Sequence, residues 1–187
     1  SLALTLPSLN EKWLSDFSKG LNGALKKFNM DLIGGDLTKG PLTLTVTIHG
    51  QVKKGKAIKR CGARKGDIIY LTGSLGAPTY AVSQLNQMPY SSSLYQKLFY
   101  PEPRVNYAPL LQAFANSAID ISDGLSSDLS HILRASKKGA CIVEEKLPLD
   151  SSLKTLIPLD KQTQLMLHSG DEYELCFTVS KEKKAAF

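Results

Sequence analysis

The sequence predicts an α/β protein in which helices are layered on sheets, and three observations lead there. Segments that alternate apolar and polar residues, as strands do, are mixed along the chain with segments of helical period. No internal repeat or low-complexity tract interrupts that mixture. A fifteen-residue basic stretch without a single acid, "QVKKGKAIKRCGARK", divides the chain into a shorter and a longer part. The 187 residues, 42% hydrophobic, suffice for one large domain or two small ones.

The elements follow in order. "LALTLP" alternates like a half-buried strand, and an edge left exposed beside "SLALTLP" is expected to make these residues prone to association. Ser8, with Glu11 three residues later, has a capping-box pattern that opens a helix. In that helix Trp13, Phe17, Leu21, Leu25 and Phe28 recur at helical spacing and are expected to form the buried stripe. "MDLIGG" reads as a strand running into Asp36, and "LTLTVTIHG" as another with Leu42, Leu44, Val46 and Ile48 on one face. Beyond the basic stretch, "GDIIYLTG" is a compact strand ending in a glycine turn, and "SLGAPTYAVSQL" opens a helix. "YPEPR" breaks the chain before a helix over "VNYAPLLQAFANS". After the extended "AIDIS" comes a helix carrying Leu125, Leu129, Ile132 and Leu133, then the strand "ACIVEE". "YELCFTVS" is the last strand, and "KEKKAAF" begins a further helix.

Composition excludes several classes of function. No apolar run approaches the roughly 18–20 residues a membrane helix needs, and "SLALTLPSLNEKW" lacks the features of a signal peptide. Cys61, Cys141 and Cys176 lie far apart without C-x-x-C pairing, which suggests reduced thiols in a cytoplasmic protein. The +6 charge is concentrated in the basic stretch. That stretch is a solvated loop, a site for a small polyanion such as a nucleoside triphosphate, or, third, a nucleic-acid patch. With no aromatic residue to stack on bases, no nucleic-acid partner is expected. His49, His131 and His168 occur singly, and neither a G-x-S-x-G elbow nor a P-loop is present.

Acids are the remaining source of chemistry. In "IDISDGL", Asp120 and Ser122 share a face of an extended segment, and Asp123 stands at a turn where Gly124 lets the backbone bend. Magnesium takes carboxylate oxygens while keeping waters and bridging to phosphate, a demand that two carboxylates and a hydroxyl meet. A plain helix cap is the competing reading, and Asp128 is expected to be a solvated helix residue. "LIGGDLTKG" offers a second acid, Asp36, at a glycine-flanked strand end where ligands of α/β sheets commonly sit; a simple turn is the alternative. "HSGDEYELCF" adds Asp171, Glu172 and Glu174, either as a surface turn or as an acidic contact for a cationic ligand.

Taken in order, "LALTLP" with its helix, "LIGGDLTKGPLTLTVTIHG", "GKAIKRCGARKGDIIYLTGSLG", "YPEPR", "AIDISDGLSSDL" and "SGDEYELCFTV" resemble the thiamine-monophosphate kinase family, a branch of the aminoimidazole ribonucleotide synthetase-like superfamily. The resemblance implies the two-domain fold of that superfamily with both domains incomplete. Residues 1–50 would be the second half of the ATP- and magnesium-binding domain, 51–60 a basic linker, and 61–187 a truncated C-terminal α/β domain. It further implies magnesium-assisted transfer of the γ-phosphoryl group of ATP to thiamine monophosphate, in a cytoplasmic homodimer. Carried over by motif, Asp36, Asp120 and Asp123 would be magnesium ligands, while Gly35, Asp36, Arg60 and Ser122 would contact ATP. Where the family reads Gly-Glu-Asp-Tyr-Glu-Leu this chain has "GDEYEL", so either Asp171 or Glu172 would meet the substrate. The family's Gly-Asp-Asp, Thr-Asp and Asn-Leu-Ser-Asp motifs are absent from these residues, which alone are expected to be inactive. Two other readings stay open: a superfamily member with another acceptor, as in aminoimidazole ribonucleotide or selenophosphate synthesis, and a non-catalytic nucleotide-binding module.

Overall fold

The computed structural model describes residues 1–89 and 91–184. The chain forms two compact units, Ser1–Val52 and Lys53–Phe187.

In the first unit, strand β1 (Leu2–Leu6) leads through helix α1 (Glu11–Lys27) to β2 (Gly35–Lys39), and β3 (Thr43–Val46) follows after a short connection. The sheet order is β2-β1-β3, with β2 parallel and β3 antiparallel to β1. β1 is therefore the central strand, paired on both sides rather than left with the exposed edge expected beside it: the crossover through α1 returns β2 to one side, and the chain then places β3 on the other. α1 is capped by Asn10, whose Oδ1 accepts the Trp13 N–H at 3.0 Å, so the cap lies two residues beyond Ser8. Phe17, Leu21, Leu25 and Phe28 are half-buried as a helical stripe that Leu14 completes. Trp13 is turned outward and stacks on Phe17 with ring centroids 5.2 Å apart.

β2 starts at Gly35 because its ladder partner starts at Leu2, directly opposite. "MDLIGG" is consequently not a strand, and Asp36 is the second residue of β2, paired with Ala3, rather than a residue beyond a strand's end. Gly35 has a packing reason to be glycine: a Cβ there would fall 1.9 Å from the Leu2 carbonyl oxygen. Leu42, Leu44, Val46 and Ile48 are exposed in this unit.

The second unit centres on an antiparallel sheet of order β4-β6-β5, from β4 (Ile68–Leu71), β5 (Ala115–Asp120) and β6 (Leu175–Val179). Its helices are α2 (Ala77–Ser83), α3 (Ser93–Phe99), α4 (Ala108–Phe114), α5 (Leu125–Ser136) and α6 (Leu159–His168). The central strand β6 is covered on both faces, which explains why four of its five residues are apolar and why its one hydroxyl, that of Thr178, is buried against Ser117 Oγ at 2.8 Å. Cys176 joins Ile119, Ile121, Leu129, Ile132 and Met166 on one side, whereas Phe177 and Val179 pack with Leu111 on the other. Burial also pushes the Cys176 thiol up to about 12.

Three elements of this unit differ from expectation, and α3 and α6 have no counterpart in the sequence reading. The helix over 105–117 is divided: a 3-10 turn at Val105–Tyr107 precedes α4, and Ala115–Ser117 joins β5, because pairing with Val179 and Thr178 outweighs helical propensity. "ACIVEE" is not a strand but an exposed segment ending in a 3-10 turn at Glu144–Lys146, since no strand among the described residues pairs with it. Of the last predicted helix a 3-10 turn at Lys181–Lys183 is seen, and residues 185–187 lie outside the described residues. No helix among the described residues is long and apolar enough to cross a membrane.

Candidate functional site

Two turns meet where β5 ends and β6 begins. Antiparallel pairing sets Asp120 opposite Leu175, and backbone bonds continue past the strands. The Ile121 N–H donates to the Glu174 carbonyl at 2.8 Å, and the Tyr173 N–H donates to that of Ile121 at 2.8 Å. The Asp171 N–H then donates to the Ser122 carbonyl at 2.9 Å. The segments 120–123 and 171–174 thus lie side by side, although the sequence separates them by some fifty positions.

The first turn is pinned from within. Asp128, expected to be solvated, is only 3% exposed, and its Oδ2 accepts the N–H groups of both Ser122 and Asp123 at 3.0 Å. It sits in the first turn of α5, where a carboxylate is also favoured by the helix dipole. Gly124, at φ +102°, reverses the chain between them, and a Cβ there would press on the His168 backbone at 3.0 Å. Asp120 and Asp123 remain exposed, and their side chains make no hydrogen bond or ion pair among the described residues.

The second turn alternates in and out. Asp171 and Tyr173 face outward with left-handed φ values of 57° and 51°, while Glu172 and Glu174 are buried. The Tyr173 hydroxyl donates to Asp171 Oδ1 at 3.1 Å. Its pKa is raised by that hydrogen bond, then by the Asp171 charge, slight burial and the charges of Asp120 and Asp123. One carboxylate thus contacts the phenol while the charges of two others act on it, and no Lys, Arg or His among the described residues forms an ion pair with any of the three.

Glu172 occupies the interior instead of the ligand side: its Oε1 accepts the Gly76 N–H at the start of α2, and it is also hydrogen-bonded to Ser169. Burial pushes its carboxyl up to about 7, against those two hydrogen bonds, while the Glu174 charge raises it further and Lys97 lowers it. With the folded pKa above the ordinary 4.5, the native state holds a proton that the unfolded chain has released between those values. Stability contributed by this group is therefore present below pH 4.5 and is lost as pH rises towards about 7. Glu172→Gln keeps an acceptor for Gly76 and should flatten that part of the pH profile, so that thermal melts between pH 5 and 8 separate the variant from the parent most at pH 8. Equal melting curves at both ends would mean that Glu172 is not held protonated.

The remaining candidates stand as follows. Asp36 and Gly35 belong to the first unit; Asp36 is exposed, and its Oδ1 accepts the Leu37 N–H at 2.8 Å. Arg60 belongs to the second unit, with its backbone anchored and its side chain exposed: Ser136 Oγ donates to its carbonyl at 3.2 Å, and Ala118 N–H to that of Lys59 at 3.2 Å. The last residues of the basic stretch are thus attached to β5 and α5. Sequence reasoning gave no role to Arg104, Thr72 or Tyr173, which the fold brings to these turns. The alternation of "GDEYEL" was the available signal for which acids face inward.

Among the described residues, no three His, Cys, Asp or Glu side chains are grouped closely enough to hold a metal ion by themselves. The donor set still fits magnesium: Asp120 and Asp123 supply oxygen donors without protein cations, and magnesium completes its shell with water and phosphate oxygens.

Two family models match the chain: AIR synthase related protein, N-terminal domain, over residues 1–52, and AIR synthase related protein, C-terminal domain, over residues 64–187. The chain belongs to this family of AIR synthase related proteins. Within it, the chain is similar to thiamine-monophosphate kinases. It is 42% identical over 192 residues to that of Escherichia coli (strain K12), covering 100% of this chain and 59% of the relative. It is 43% identical over 189 residues to that of Haemophilus influenzae, covering 98% and 58%. The crystal structure of thiamine-monophosphate kinase from Stenotrophomonas maltophilia K279a superposes with a TM-score of 0.91 at 38% identity, over 99% of this chain and 62% of that one. AaThiL complexed with AMPPCP and TMP superposes with a TM-score of 0.82 at 28% identity, over 97% and 61%. The chain spans about three fifths of the length of the curated relatives it matches.

Proposed function

We propose that the full-length protein transfers the γ-phosphoryl group of ATP to thiamine monophosphate, giving thiamine diphosphate and ADP. The observation that carries this reading is the pairing of the Asp120–Asp123 turn with the turn that carries Asp171, which brings together three carboxylates without an ion-pair partner among the described residues. Such a set is repulsive by itself and is stabilised by an external cation. The magnesium ions that accompany a nucleotide and the thiazolium ring of thiamine monophosphate both supply positive charge. The similarity to thiamine-monophosphate kinases, and to a structure complexed with AMPPCP and TMP, supports the same substrates.

In this reading an oxygen of the thiamine monophosphate phosphate attacks the γ-phosphorus, a new P–O–P linkage forms, and the bond to the β-phosphate oxygen breaks to release ADP. Asp36, Asp120 and Asp123 would hold magnesium, which neutralises phosphate charge when bound. Ser122 and the backbone at Gly35 contact the nucleotide, and the exposed Arg60 guanidinium grips phosphate oxygens in its fork. Asp171, on the outer side of its turn, faces the fixed positive charge of the thiazolium. Glu172 is buried against Gly76 and supports the turn from inside. The working form is a cytoplasmic homodimer.

The test is ADP release and product identity with the full-length protein, magnesium, ATP and thiamine monophosphate. ADP release that depends on thiamine monophosphate and yields thiamine diphosphate supports the reading; release that depends on another acceptor replaces it. Asp171→Asn should raise the KM for thiamine monophosphate by about tenfold, the scale of one charge-assisted contact, and leave that for ATP unchanged. A shift caused by Glu172→Gln and not by Asp171→Asn would move the substrate contact to the inner residue.

A further inference from the structure

Behind the outward-facing Asp171 and Tyr173 lies a buried network that the substrate does not need for its charge. Glu174 is 7% exposed, and its carboxylate accepts hydrogen bonds from three donors. Arg104 Nε donates to Oε2 at 2.7 Å, and Arg104 Nη2 donates to Oε1, so the guanidinium engages both oxygens. Thr72 Oγ1 donates to Oε2 at 2.5 Å and accepts the Leu175 N–H at 2.8 Å. The backbone of Glu174 meanwhile accepts from Ile121, at the foot of the Asp120–Asp123 turn. Gly73 makes room for this arrangement, since a Cβ there would lie 2.3 Å from Glu174 Oε1. Three chain segments remote in sequence therefore converge on one residue, Thr72 and Arg104 at its side chain and Ile121 at its backbone.

The network stands directly behind two left-handed, non-glycine residues. Asp171 and Tyr173 each adopt a conformation that L side chains rarely take, and the surroundings must impose it. Glu174 follows Tyr173 immediately, and Glu172, between them, is bonded to Gly76. Anchoring alternate inward residues leaves the outward pair no freedom to relax.

We propose that Arg104 is a positioning residue of this site: by gripping both oxygens of Glu174 it holds the Asp171–Tyr173 turn in its left-handed form beside Asp120 and Asp123, and so sets the affinity for the cationic substrate. This rests on the reading of Asp171 as the contact to thiamine monophosphate. In this role Arg104 acts through Glu174. It explains the placing of "YPEPR", whose arginine reaches Glu174 while Glu102 accepts from Nη1 at 3.1 Å at the surface.

The test uses the full-length protein and two independent readouts, amide hydrogen exchange and steady-state kinetics. In Arg104→Ala the amides of Asp171 and Tyr173 should exchange about tenfold faster, while those of Cys176 and Thr178 in β6 stay protected. The KM for thiamine monophosphate should rise by about tenfold, with the KM for ATP and kcat changed less than about twofold. Arg104→Lys keeps the charge but not the fork and should fall between parent and alanine variant; Glu102→Gln should have no effect. Unchanged exchange at Asp171 and Tyr173 overturns the proposal. So does faster exchange with KM for both substrates raised alike, which would make Arg104 structural only. If Arg104→Ala does not fold, Arg104→Lys carries both readouts. Should the parent protein not accept thiamine monophosphate, the proposed function fails by itself, and the exchange readout still decides whether Arg104 holds the turn.

Discussion

Replacing Asp123 by asparagine in the full-length protein should lower kcat by about 10²–10³, the effect of removing one element that stabilises charge in the transition state. The expected loss is in chemistry and not in folding. Asp123 is exposed, and its side chain makes no hydrogen bond or ion pair among the described residues, so its replacement should change stability by less than about 0.5 kcal/mol. Asparagine keeps an oxygen donor but not the charge, and a higher magnesium concentration should restore part of the rate. Turnover with saturating substrates across a magnesium titration, beside thermal melts of both proteins, tests this. A variant with parental turnover at every magnesium concentration would remove Asp123 from the metal set.

Asp128→Ala should have the opposite profile, a large loss of stability without direct contact to any ligand. The 3% exposed carboxylate is the acceptor for two backbone N–H groups, and alanine leaves both without it. A donor deprived of a charged partner in a buried setting costs about 1–3 kcal/mol, and with one of the two donors near solvent the combined loss should be about 2–3 kcal/mol. Asp128→Asn retains an oxygen in the same position and should lose about half as much. Urea unfolding of the three proteins measures the series, and a loss under about 0.5 kcal/mol for alanine would show that the turn before α5 does not depend on this acceptor.

These two aspartates show how much of the site was legible in the chain. Both stand in "SDGLSSD", five residues apart; Gly124 marks Asp123 as a turn residue, but nothing local shows that Asp128 is buried. Asp123 belongs to a turn left open; Asp128 falls on the inner side of α5, where the helix places its fourth residue beneath the turn it follows. Glu172 and Asp171 divide in the same way, because the period of two along "GDEYEL" turns one acid to Gly76 and the other outward. The pattern was present in the letters, but the sheet had to fix which face was the inner one.

The sequence by itself determined the mixed α/β class, the strand β1, the helix α1 and the strand over β3 in the first unit, the β4 and β6 segments, and the second half of β5. Those features depend on local period, glycine turns and residue type, which act over a few positions. Only the tertiary structure decided that β1 is a central strand, that "ACIVEE" is not a strand, that Ala115–Ser117 leaves its helix for β5, and that Arg104 meets Glu174 across seventy positions. Each depends on which distant backbone or side chain is available as a partner, and pairing energy of that kind outweighs local preference without leaving a periodic trace in the sequence.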